Sequence, residues 1–314
     1  MTVLDRFYKK DRSALSRIIS FIENREDGYL ELLSRIYNIS SNSYKIGITG
    51  PPGSGKSTLV DKIAIRYLEK GFSVGIIAVD PTSPFTGGAL LGDRIRMQDL
   101  ASRGEVFIRS MATRGSGGGL SEATREVAIA LESYGFDIIL IETVGVGQVE
   151  LDVAGLCDST VVALVPESGD SVQTLKAGLM EIANIFVVNK ADREGSGRLV
   201  SELRLMLESR GQKQKEGWIL PVIKTEAING VGIDTLTDKI IDHRKHVENL
   251  YTQSGYREKR VKSELITILD RKIRARVLKE LLEDNSVDSY VKQIVNGESD
   301  PYSITEKLMR KITI

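Results

Sequence analysis

The sequence predicts an α/β fold, a mostly parallel central sheet flanked by helices, with helices ahead of it and a helical arm behind it. Two observations carry this. From residue 44 onward, short β-branched apolar runs alternate with amphipathic segments of helical period, the rhythm of β-α-β units whose strands are covered on both faces. The first unit joins strand to helix through Gly50-Pro51-Pro52-Gly53-Ser54-Gly55-Lys56-Ser57, a complete G-x-x-x-x-G-K-[ST] phosphate loop, which makes the expected fold that of a P-loop NTPase.

Ahead of the sheet, Leu15, Ile18, Ile19 and Ile22, then Leu32, Leu33 and Ile36, recur at helical spacing around a break at Asp27-Gly28, so residues 1–43 are expected as a helical segment. Strands are expected at 44–49, 73–79, 105–108, 137–141, 160–165, 185–188 and 220–223. Helices are expected at 56–70, 119–133, 171–183, 198–210 and 232–248, giving a nucleotide domain over 44–248. Gly115 to Gly119, four glycines in five positions, interrupts this rhythm as a loop. From 249 to 314 the pattern is helical only. Between Arg257 and Lys279 nine Lys/Arg face three Asp/Glu, and Val261, Leu265, Leu269, Ile273, Val277 and Leu281 form an apolar stripe. A long helix must cover such a stripe. A second copy of the chain is the expected cover, which makes 249–314 a dimerisation arm, while the basic face is either solvated or a surface for an acidic partner.

Bulk properties exclude several classes. Across 314 residues, Lys+Arg and Asp+Glu each number 43, so no global field draws nucleic acid or an anionic membrane, and neither is expected as a partner. Cys157 is the single cysteine, which removes any internal disulfide framework and most thiolate metal sites. Met1 is followed by charged residues rather than an apolar run, and the apolar stretches 138–141 and 161–165 are too short to span a bilayer. A cytoplasmic protein is expected.

The phosphate loop needs backbone N–H groups curled around phosphates at a helix N-terminus, with glycines where the chain must approach closely. Gly50, Gly53, Ser54 and Gly55 supply that backbone, Lys56 carries a charge to the β- and γ-phosphates, the Ser57 hydroxyl is placed for Mg²⁺, and Thr58 completes the set. The apolar strand 136–141 ends in Glu142-Thr143-Val144-Gly145, an acidic residue for the Mg²⁺ shell followed by a glycine whose N–H can sense the γ-phosphate. Glutamate stands where aspartate is usual. After the apolar 185–188, Asn189-Lys190-Ala191-Asp192 is a guanine-reading signal: the Asp192 carboxylate can accept from N1–H and N2–H₂, while Asn189 and the Lys190 stem fix and cover the ring. GTP and GDP are therefore expected rather than ATP. Ala227, in Thr225-Glu226-Ala227, can offer a backbone N–H to guanine O6.

Asp80 and Asp93 lie between the phosphate loop and Glu142, where a nucleotide-sensing loop belongs. Either can complete the Mg²⁺ shell or orient attacking water; an Asx-turn before Pro81 and a helix cap are their other readings. Arg94, Arg96 and Arg114 are candidate phosphate or partner contacts, and Gln148 a candidate for positioning water. His243 and His246 sit three apart, a metal-compatible spacing, but Asp242, Arg244 and Lys245 around them suggest a solvated face.

Six motifs in order, Gly47 to Thr58, Val79 to Ser83, Gly92 to Arg94, Met111 to Gly115, Glu142 to Gln148 and Asn189 to Asp192, together resemble the MeaB/ArgK family of P-loop GTPases, which includes the methylmalonic aciduria type A protein. The resemblance extends to the helix near Ala14 to Glu23 and to Gly297 to Tyr302. It implies a homodimeric GTPase that chaperones an adenosylcobalamin-dependent acyl-CoA mutase, usually methylmalonyl-CoA mutase, gating cofactor loading and protecting the enzyme. At matching positions it places phosphates and Mg²⁺ on Lys56 and Ser57, a Mg²⁺ and water network on Asp80, Asp93 and Glu142, and guanine on Asn189 and Asp192. Val149 and Gly117 depart from the family pattern. A metallochaperone-type GTPase, a transport-associated ATPase or kinase, and a non-catalytic nucleotide-binding scaffold are the alternatives.

Overall fold

The computed structural model describes residues 2–37, 43–80, 100, 105–112, 122–143, 153–167, 177–209, 217–252, 255–283 and 286–311. They fall into two compact units, Met1–Glu248 and Asn249–Ile314.

In the first unit seven strands form one sheet: β1 (Tyr44–Thr49), β2 (Val74–Asp80), β3 (Val106–Ala112), β4 (Ile138–Glu142), β5 (Ser159–Leu164), β6 (Ile185–Val188) and β7 (Val222–Lys224). Their order is β3-β2-β4-β1-β5-β6-β7 and every pairing is parallel. All carboxyl ends therefore share one edge. Strands β2 to β4 lie to one side of β1 and β5 to β7 to the other, so the chain reverses direction across the sheet at β1, where an open parallel sheet leaves a crevice.

Alternation along each strand sorts side chains between the faces. One face carries Ile46, Ile48, Ile76, Leu140, Val161 and Val187 against α4 (Lys56–Glu69) and the first part of α8 (Ile233–Thr252), which contribute Leu59, Ile63, Tyr67, Leu236 and Ile240. On the opposite face, Ile77, Val79, Ile139 and Ile141 meet α5 (Glu122–Tyr134) together with α1 (Val3–Tyr8), α2 (Arg12–Glu23) and α3 (Tyr29–Tyr37). Farther along it, Val162, Leu164, Phe186 and Val188 meet α6 (Ala177–Ile182) and α7 (Ser196–Ser209). The predicted amino-terminal stripe is thus part of the sheet's core: Leu15, Ile18, Ile19 and Ile22 are buried, each contributing about 1.5–3 kcal/mol by leaving water. Asp11 caps α2 by accepting from Ser13 and Ala14 N–H at 2.8 and 3.3 Å.

One strand runs past its predicted end. β3 continues through Arg109 and Ser110, polar residues that interrupt the apolar run, because α2 answers the charge: the Arg109 guanidinium pairs with Glu23 and donates to Ser20 Oγ at 3.2 Å. Arg12 donates to the Val106 carbonyl at 2.8 Å, on the side of β3 away from β2.

In the second unit α9 (Tyr256–Glu283), α10 (Ser286–Val295) and α11 (Pro301–Lys311) follow in succession. Asp300 caps α11 through Tyr302 and Ser303 N–H, both at 2.9 Å. Val261, Leu265, Leu269 and Ile273 of the α9 stripe are exposed in the single chain.

Candidate functional site

The loop 50–55 leaves the carboxyl end of β1 and enters α4 at the middle of the sheet edge. Gly50 has φ +139°, and a Cβ there would stand 2.0 Å from the Ala163 carbonyl oxygen of β5. At Gly55, φ +84°, a Cβ would stand 2.3 Å from Asn189 Nδ2. Neither position admits a side chain, so the loop is pressed against its neighbours. Gly55 also caps α4 without a side-chain bond, and the first turn of that helix holds no acidic residue. No acidic residue of the helix itself offsets its positive end, which suits an anion. Ser54 Oγ is buried with no hydrogen-bond partner among the described residues.

The Lys56 ammonium is buried and donates to the carbonyls of Gly50 and Pro51 at 3.0 and 3.1 Å, which holds it inside the loop. One residue on, Ser57 Oγ donates to Glu142 Oε1 at 2.6 Å. Register explains the meeting: Glu142 ends β4 directly beside Ile48 of β1, and its side chain is 5 % exposed. Thr143 ties the same two strand ends, its N–H donating to Ile48 O at 3.1 Å and its hydroxyl lying 2.9 Å from Thr49 Oγ1. Hydroxyl and carboxylate are hard oxygen donors, the set a Mg²⁺ ion takes.

Asn189 follows β6 and is 2 % exposed. Its Nδ2 donates to Ser54 O at 2.9 Å, and its Oδ1 accepts from Thr225 Oγ1 at 3.0 Å and Ala227 N–H at 3.1 Å. The amide orientation is fixed because a backbone N–H can only donate. Asn189 is therefore a latch between the phosphate loop and the two base-side loops. Ala227 N–H, offered by the sequence to guanine O6, is engaged by Asn189 and would reach a base only as a shared donor. Lys190 adopts φ +55° and is half-buried, Asp192 is exposed, and Arg193 pairs with Glu167. Ala191 N–H donates to Thr225 O at 3.0 Å and Ser196 Oγ to Ala191 O at 2.8 Å, which fixes the backbone that presents Asp192.

Lys56, Ser57, Glu142, Asn189, Asp192 and Ala227 thus share the carboxyl edge. Asp80 is the last residue of β2, aligned with Ala112, two residues beyond Ala78, which aligns with Glu142. Asp93 and Gly145, with Arg94, Arg96, Arg114 and Gln148, lie outside the described residues. Thr143 and Thr225 were missed by sequence reasoning; their only signal is a hydroxyl residue directly after a strand.

His243 corrects the expectation of a solvated face. It continues the buried row Leu236, Ile240 on α8, is 3 % exposed, and bonds to Tyr44 Oη at 3.0 Å and to Ser159 Oγ. Tyr44 and Ser159 begin β1 and β5, so this cluster sits at the end of the sheet opposite the phosphate loop. Burial, with His246 nearby, lowers the His243 pKa to about 4. Cys157 packs at the margin of the core that holds α2 and α5.

The chain matches known proteins over most of its length. The profile of the family described as "Methylmalonyl Co-A mutase-associated GTPase MeaB" matches residues 15–285. A Pyrococcus abyssi protein named for GTPase activity is 46% identical over 99% of this chain and 96% of its own. The GTPase ArgK of Escherichia coli is 33% identical over 92% of this chain and 88% of its own. The mitochondrial methylmalonic aciduria type A homolog of Mus musculus is 35% identical over 75% of this chain and 61% of its own. Among solved structures, a LAO/AO transport system kinase is similar with TM-score 0.76 and 25% identity, covering 98% of this chain and 95% of that one.

Proposed function

The chain belongs to the MeaB family of methylmalonyl-CoA mutase-associated GTPases, and from that premise we propose that it is a Mg²⁺-dependent GTPase serving an adenosylcobalamin-dependent acyl-CoA mutase as a chaperone. It binds guanine nucleotide and hydrolyses GTP to GDP and phosphate. The finer reading is that GTP and GDP states of this chain gate cofactor loading into a mutase, most simply methylmalonyl-CoA mutase, and protect that enzyme. It acts as a homodimer in the cytoplasm, the exposed α9 stripe being the surface that a second copy covers.

The observation that carries the site assignment is the convergence of Lys56, Ser57 and Glu142 with the Asn189 latch on one sheet edge. Lys56, already held inside the loop, neutralises phosphate charge, and the N–H groups of the uncapped first turn of α4 orient the phosphate oxygens. Ser57 and Glu142, with Asp80 and Asp93, would hold Mg²⁺, which when bound would supply charge neutralisation at the phosphates. One of these carboxylates aligns the attacking water; positioning and electrostatics are what phosphoryl transfer chiefly needs. Asp192 accepts from the guanine edge, and the Lys190 stem covers the ring.

Differential affinity of the mutase for the two nucleotide states is what would make this a switch. The test is GTP and ATP turnover by the purified chain with Mg²⁺, with and without such a mutase. GTP-selective turnover accelerated by the mutase is the expected result. Turnover indifferent to the mutase would overturn the chaperone reading, and turnover indifferent to the base would favour an ATPase related to the transport system kinase.

A further inference from the structure

β7 is the last strand of the sheet, and among the described residues no strand pairs with its outer edge, where Gly232 rests against the Lys224 carbonyl and leaves the groups before it open. Its inner edge is defined by two bonds: Phe186 N–H donates to Pro221 O at 2.9 Å, and Thr225 N–H donates to Val188 O at 2.9 Å. Residues 221, 223 and 225 therefore turn their main-chain groups toward β6, so the N–H and C=O of Val222 and the N–H of Lys224 point outward. Such a row is a template for another extended chain. The far edge differs, since Arg12 already occupies the Val106 carbonyl of β3.

A cavity of about 550 Å³ lies against this rim, lined by Gly197, Ser201 and Arg204 of α7, by Val222 and Lys224 of β7, and by Thr235 of α8. α7 packs on one face of the sheet and α8 on the other, so a cavity lined by both helices and the strand between them straddles the edge itself. Gly197, Ser201 and Arg204 fall on one row of α7, where two small residues keep the wall low ahead of the guanidinium. Arg204 and Lys224 form no ion pair among the described residues. Two cations that form no ion pair among the described residues, beside a ladder edge that no described strand covers, select the occupant: main-chain groups recognise an extended backbone, and the cations favour carboxylates on it.

We propose that this rim docks an extended acidic segment of a partner protein, which adds to β7 as an eighth strand. The strand runs directly into Thr225, whose hydroxyl bonds Asn189, so the added segment lies one residue from the latch that joins the two loops. The inference does not depend on the nucleotide bound at the other site.

The test uses the full chain and a fluorescent six-residue peptide of alternating Glu and Val, with fluorescence anisotropy as the readout. The expected result is saturable binding that is lost when alternate peptide nitrogens are methylated, and lost when Lys replaces Glu in the peptide. R204E with K224E should weaken binding at least about ten-fold, and the milder R204Q with K224Q should weaken it less while leaving circular dichroism unchanged. Absence of binding, equal binding of the methylated peptide, or affinity unchanged in both variant pairs would overturn the proposal.

Discussion

Removing the Asn189 amide tests whether the phosphate loop and the base-side loops are one mechanical unit. Asn189→Ala deletes one donor to Ser54 O and one acceptor shared by Thr225 Oγ1 and Ala227 N–H, all within 3.1 Å and all buried. At about 1 kcal/mol net for each of the three bonds the loss is about 3 kcal/mol, a large part of the 5–15 kcal/mol that holds a typical domain folded. Asn189→Asp separates the two halves. It keeps an acceptor for Thr225 and Ala227 but sets a carboxylate oxygen against the Ser54 carbonyl, so it should release the phosphate loop while leaving the base-side loops tied. Trp218, the single tryptophan, donates to Asn184 O at 2.8 Å within the first unit and reports its unfolding. Urea denaturation of nucleotide-free protein by Trp218 fluorescence gives the stability, and displacement of a fluorescent GDP analogue gives the affinity. A loss below about 0.5 kcal/mol together with unchanged GDP dissociation would refute the latch, since a mere surface polar change falls within that range.

Lys56→Ala removes the one buried ammonium held inside the loop and should abolish tight nucleotide binding, read by calorimetric titration with GDP. Asp192→Asn trades an acceptor for a donor opposite guanine N1–H and should weaken GTP while leaving residual ATP binding unchanged, measured by competition. His243 gives a pH dependence: its folded pKa of about 4 lies below the ordinary 6.5, so the unfolded chain takes the proton first. Stability from this group is complete above pH 6.5 and falls by about 3 kcal/mol as the pH drops to 4, and His243→Gln should flatten urea midpoints across that window. The facing groups are Tyr44, Ser159, His246 and Asp158. Leu265→Glu with Leu269→Glu places charges on the exposed α9 stripe and should halve the mass seen in light scattering; an unchanged mass would exclude that surface from the dimer.

Much of the architecture was legible in local pattern. β-branched runs and the 3.6-residue spacing located the strands and most helices, because burial on both faces of a parallel sheet leaves a strong compositional mark. The order of strands was not, since nothing in the segment 137–141 says that it inserts between β2 and β1. β3 was cut short because Arg109 and Ser110 look like a strand end until Glu23 and Ser20, far away in sequence, are seen to answer them. The site divides in the same way. Lys56 and Ser57 announce themselves by spacing, whereas the role of Asn189 depends on Ser54, Thr225 and Ala227, which only the fold gathers. His243 misled because its chain neighbours are charged, while its own position on α8 falls on the buried row.

Gly50 carries one more consequence. Its Cα rests on the Ala163 carbonyl, so the first bend of the phosphate loop is moulded by the backbone of an adjacent strand. A loop shaped in this way is preorganised, and nucleotide association is spared most of the entropic penalty of ordering it. A shift of β5 at Ala163 would therefore reshape this bend through the main chain alone, without any change in the residues of the loop.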